Sequence, residues 1–134
     1  MTANDPAEWI TFADADLHVL DELLNSVRPS WPLICYLAQQ TAEKVLKAYL
    51  VARDVVPPRT HDLNRLLTAS SAFRTDAGSL EGDARLLTRY STVTRYPGDS
   101  PLPQQEDAHT AHKAALRIRS AVAAWIAEER PEPS

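Results

Sequence analysis

The sequence predicts an all-α protein, an antiparallel up-and-down four-helix bundle with a short extra helix. Three observations carry this. Apolar residues recur at three- and four-residue steps over long stretches, and no run alternates with the period of a strand. Only three glycines and two phenylalanines occur in 134 residues, too few for a turn-rich sandwich or barrel. Ten prolines and a series of capping residues cut the chain into helical lengths joined by short connections, so neighbouring helices run mostly antiparallel.

The first helix is expected over about 6–26. Asp5 precedes Pro6, a residue tolerated at the first helical position. Trp9, Phe12, Ala13, Leu17, Leu20 and Leu24 then form an apolar stripe, with Asp16 marking a wet edge. Ser30 caps the second helix, Pro32 lies in its first turn, and the helix ends near Asp54, ahead of Pro57 and Pro58. At 100° per residue its apolar residues, from Ile34 to Tyr49, fill half a circle, wider than a surface helix requires. It is therefore the central helix.

Thr60 is the expected cap of a short third helix with Leu63, Leu66 and Leu67 facing inward. Ser79 is the expected cap of a fourth helix carrying Leu80, Leu86, Leu87, Tyr90 and Val93. The proline-rich stretch 96–103 is a loop. The last helix starts near Gln104, where Glu106 and Asp107 suit its N-terminal dipole, and buries Ala108, Ala111, Ala115, Ile118, Val122, Trp125 and Ile126. Residues 1–134 form a single domain with a core of about 6–127 and a frayed tail at 128–134.

Charge is unevenly spread over a net −4. Residues 1–27 carry six acids and no Lys or Arg, whereas residues 28–95 carry ten bases and six acids. An acidic chain of this kind is no general binder of duplex DNA, although its basic middle suits a phosphate or an acidic partner. No apolar run reaches the ~20 residues of a membrane span, and no leader pattern opens the chain, so the expected location is cytoplasmic. The lone Cys35 reads as a core thiol.

Several residues are candidates for chemistry. On the second helix, Gln39, Gln40, Glu43, Lys44 and Lys47 form a polar stripe. Its simpler reading is a solvated face with a Glu43–Lys47 pair at the favourable i,i+4 spacing; the other is an anion site at Lys44 and Lys47. Arg85 and Arg89 stack one turn apart, and Arg95-Tyr96-Pro97 offers a planar cationic fork and an aromatic face for a phosphate and a base. His61 reads as a first-turn residue packed on the second helix, and His18 as a surface residue. Glu106, His109 and His112 lack the spacing and intervening Glu of the paired-histidine zinc helix; they are read as surface residues, and no metal or other cofactor is assigned. Trp9, Trp31 and Trp125 are anchors for a core or an interface.

Taken in order, the segment from Gln39 to Leu50 (QQTAEKVLKAYL), Thr60-His61-Asp62-Leu63 with Leu66-Leu67, Arg95-Tyr96-Pro97 and the alanine-rich last helix resemble the HEPN domain (higher eukaryotes and prokaryotes nucleotide-binding) over roughly residues 10–127. The resemblance implies a homodimeric helical bundle that contacts nucleotide or RNA and partners a small nucleotidyltransferase in a toxin–antitoxin-like pair. It also implies that active members are metal-independent ribonucleases, with an Arg followed after four to six residues by a His. None of the four histidines here has an Arg at that distance. Three functions follow as expectations: a nucleotide- or RNA-binding module, an endoribonuclease with a displaced site built from Arg95, His61 and His109, or a structural interaction subunit. The expected phosphate ligands are Arg95, Tyr96, Lys44, Lys47, Arg85 and Arg89.

Overall fold

The structure is a computed structural model and describes residues 5–92 and 101–130. The first helix, α1, spans Pro6–Leu24, and the Asp5 side chain accepts from the Ala7 amide at 2.9 Å, as a cap should. The second, α2, spans Trp31–Ala52, with Ser30 Oγ accepting from Leu33 N at 3.3 Å and Pro32 in the first turn. Its end is a Schellman closure. Val55 N donates to Leu50 O and Asp54 N to Val51 O, with Asp54 in the left-handed region at φ 60° where glycine is usual.

Two expected caps are corrected. The third helix, α3, spans Leu63–Ser70 and is capped by Asp62, whose carboxylate accepts from Asn64 N; Thr60 Oγ1 instead accepts from Asp62 N and fixes the turn before it. The fourth, α4, is confined to Glu81–Thr88 and is entered through a 3₁₀ turn over Thr75–Leu80, so Ser79 does not cap it; the Ser79 hydroxyl donates to Asp76 O inside that turn. The last helix, α5, spans Gln105–Glu129, and the Asp107 carboxylate accepts from the Gln104 amide.

α2 lies at the centre, packed on α1, α5, α3 and α4. Cross-helix pairs give the directions. Asp14 meets Arg119 and Asp21 meets His112, so α1 and α5 are antiparallel. Trp31 meets His109 and Tyr49 meets Trp125, so α2 and α5 run parallel and α1 opposes both. α3 and α4 share the fourth position, Leu63 N donating to Thr88 Oγ1 at 3.1 Å. Ile34, Leu46, Tyr49, Leu50, Leu63, Leu66, Leu87, Ile118 and Val122 are fully buried around α2, and the alanines of α5 allow the helices to approach closely. Cys35 is buried among them. No helix among the described residues is long and apolar enough to cross a membrane.

Candidate functional site

The polar stripe of α2 is not a solvated face: Lys44 and Lys47 meet Asp16 and Trp9 of α1, and the segment that leads from α2 to α3 returns along Gln39 and Glu43. Pro57 and Pro58 hold this segment extended and return the chain from the C-terminal end of α2 to the level of Gln39 and Glu43. Gln39 is completely buried, and 5% of Glu43 is exposed. Gln39 Nε2 donates to Glu43 Oε1 and to the His61 carbonyl, each at 3.0 Å, while Gln40 Nε2 donates to Gln39 Oε1 at 2.7 Å. Lys47 Nζ donates to Glu43 Oε2 at 3.0 Å and lies 5.6 Å from the Trp9 ring centroid. His61 Nδ1 sits 2.9 Å from Glu43 Oε1. Burial works to raise the Glu43 carboxyl, but hydrogen bonds from Gln39, His61 and Lys47 and the Lys47 charge hold it below the ordinary carboxylate range.

The result is a buried carboxylate that orients an exposed imidazole. The His61 side chain is 68% exposed. With Nδ1–H donated to the carboxylate, Nε2 faces away from Glu43. Thr88 abuts the start of α3 through Leu63, which sets Arg89, the C-terminal cap of α4, at the same end of the molecule as His61.

The expected cations do not gather there. Lys44 reaches Asp16 across the α1–α2 seam, so the wet edge assigned to Asp16 is a half-buried ion pair, and Lys47 is taken up by Glu43. Arg85 is exposed on α4, 3.9 Å from Glu81, and Arg89 is exposed. His61 and His109 are also separate, since His109 packs on Trp31, twelve residues before Glu43 on α2, or about 18 Å along the helix axis. His112 is half-buried, 3.3 Å from Asp21, not solvated as expected; His18 is exposed beside Glu22. Arg95, Tyr96 and Pro97 lie outside the described residues.

At the opposite end a second polar cluster joins Tyr49, Arg53, Arg74 and Glu129. The Tyr49 hydroxyl is 2.9 Å from both Glu129 oxygens, and Arg53 donates to the same carboxylate at 3.0 Å. Arg74 spans Asp76, Glu128 and Glu129 beneath the Trp125 ring. Burial, the hydrogen bond to Glu129 and the Glu129 charge push the Tyr49 phenol up to about 12, against the opposing charges of Arg53 and Arg74. This cluster clamps α2, α5 and the α3–α4 connection together.

The sequence model of the HEPN domain matches residues 7–125, nearly the whole bundle. The chain belongs to the HEPN domain family. The crystal structure of an archaeal HEPN homologue is similar to it, with a TM-score of 0.74 and 23% sequence identity over 94% of this chain and 99% of that one, a likeness that speaks for the fold. No curated protein matches. Within this HEPN domain the sequence singled out His61, Glu43 and Trp31 separately, but not the hydrogen bonds that join Gln39, Glu43 and His61 or the contact of Trp31 with His109. An i,i+4 polar row looks the same whether water or a returning segment covers it. The usable signal was the width of the α2 apolar arc, which leaves little of that helix for solvent.

Proposed function

We propose that this HEPN protein is a nucleotide- and RNA-contacting module that acts as a homodimer with a small nucleotidyltransferase, in a toxin–antitoxin-like pair in the cytoplasm. The observation that carries this reading is the HEPN match across residues 7–125 in a chain whose histidines all lack an Arg four to six residues upstream. Binding therefore accounts for the chain better than cleavage by the spacing associated with the family's ribonucleases. The exposed Arg59, Arg65 and Arg85 of the basic middle support contact with phosphate, whereas Lys44 and Lys47 are held by Asp16 and Glu43. The test is affinity capture of the tagged protein from its native cells at low salt. Recovery of a small nucleotidyltransferase together with RNA is expected; recovery of neither refutes the reading.

A second reading is favoured by the Glu43–His61 pair. A buried carboxylate that orients an exposed imidazole is the arrangement a proton-transfer group needs. In that reading His61, with Arg95, promotes attack of an RNA 2′-hydroxyl on the adjacent phosphate without metal. Cleavage of RNA in EDTA that is lost in a combined Arg95→Ala, His61→Ala, His109→Ala variant supports it. Equal cleavage by the variant discards it.

A further inference from the structure

We propose that Trp31 and His109 form a stacking subsite for one unpaired nucleobase, with Lys113 placed to meet its phosphate. The inference deepens the nucleotide-binding reading and rests on it.

Trp31 is the first residue of α2, pinned between the Ser30 cap and Pro32, so its indole is carried by a rigid helix start. Trp125 is buried in the core, whereas Trp31 is half-buried and keeps part of its ring at the surface. Its neighbour is the exposed His109 of α5, at 6.3 Å between ring centroids and tilted by 44°. The rings thus open as a wedge and do not close on one another as a stacked pair. The wedge lies in a shallow, open depression of about 690 Å³, which leaves both rings accessible to a ligand from solvent. Gln105 and Thr110 on its walls supply an amide and a hydroxyl group for a base edge, while the Gln104 side-chain amide donates to Leu102 O. Lys113, exposed one turn beyond His109 on the same face, supplies a positive charge. Glu106 in the first turn of α5 disfavours a phosphate there, which sets the polarity: base toward Trp31, phosphate toward Lys113. Stacking on an aromatic ring tolerates any base, so the ligand class is an unpaired nucleotide, free or within a single strand.

The test titrates the full chain with AMP, ribose 5-phosphate and single-stranded oligo(A) while following the three indole N–H signals by NMR. AMP and oligo(A) are expected to shift the Trp31 signal, and ribose 5-phosphate to bind far more weakly. Trp31→Ala should weaken binding about 5- to 150-fold, and Trp31→Phe should restore most of it. Tighter binding of oligo(A) than of AMP identifies an RNA strand as the ligand; equal binding identifies a free nucleotide. Binding that moves no Trp31 signal overturns the subsite and leaves the RNA reading standing. No binding of any probe overturns both. The indole readout uses the wild-type chain, so the outcome does not depend on Trp31→Ala folding.

Discussion

Replacing Glu43 with alanine should cost about 3 kcal/mol of stability, and the structure says where the loss arises. The carboxylate is the acceptor for Gln39 Nε2, His61 Nδ1 and Lys47 Nζ. His61 loses little, because water reaches its ring. Gln39 keeps its bond to the His61 carbonyl. Lys47 carries the penalty, since only 12% of its side chain is exposed and Glu43 is its ion-pair partner, with the Trp9 ring 5.6 Å away. Stranding a largely buried charge costs about 3–5 kcal/mol, and the helix preference of alanine offsets a few tenths. Glu43→Gln retains the shape and one acceptor and should cost about 1–2 kcal/mol. His61→Ala should cost under about 1 kcal/mol. Adding Lys47→Met to Glu43→Ala should recover part of the loss, because no orphan charge remains. Urea unfolding at pH 7 followed by far-UV circular dichroism measures all four. Glu43→Ala within about 1 kcal/mol of wild type, or His61→Ala as costly as Glu43→Ala, would refute this account of Lys47 as the dependent partner. Because the Glu43 carboxyl is held below its ordinary value, its contribution is complete above the unfolded value of about 4.3 and is lost as pH falls through the folded one. Glu43→Gln should flatten that acid limb.

Two further substitutions probe the clamp and the end of α2. The folded chain holds the Tyr49 proton more tightly than the unfolded chain does, so the stability it contributes is complete below about pH 10 and is lost as pH rises toward 12. Tyr49→Phe should cost about 1–2 kcal/mol at pH 7 and remove that alkaline loss in urea melts at pH 7, 10 and 11.5. Asp54→Gly should stabilise by about 0.5 kcal/mol, since glycine takes the left-handed φ of 60° without side-chain strain but loses more chain entropy on folding. A loss in thermal melts would show that the Asp54 side chain has a structural task of its own.

Local chemistry made the long helices legible. Asp5-Pro6 and Ser30 with Pro32 place two helix starts as the sequence predicts, and the angular sweep of α2 identifies the central helix without reference to its neighbours. The third helix was misread because two capping residues compete, and the fourth because a 3₁₀ turn leads into it. In Thr60-His61-Asp62 both Thr and Asp suit a cap, and only the Thr88 hydroxyl waiting at Leu63 N selects the later start. The site was less legible for a related reason. Gln39, Glu43 and His61 lie in segments 18 and 22 residues apart, and nothing in either segment announces that the loop returns to cover the other. His112 was misplaced in the same way, through an α1 carboxylate 91 positions away.

The parallel seating of α5 on α2 has a consequence for the order in which the chain assembles. Asp16 and Lys44 join helices across 28 positions, whereas Tyr49 and Glu129 are 80 apart and Asp14 and Arg119 are 105 apart. Closing the longest of these loops costs roughly 1 kcal/mol more in chain entropy than closing the shortest, and α5 is synthesised after the other four helices described. The shorter closure favours formation of an α1–α2 hairpin ahead of the docking of α5, an order that pulsed hydrogen exchange during refolding would read out. Trp31 and His109 meet only after that step. The aromatic wedge is in this sense a checkpoint of completed folding: a nascent or truncated chain cannot display it, and a nucleotide held there would favour the docked form of α5 by mass action.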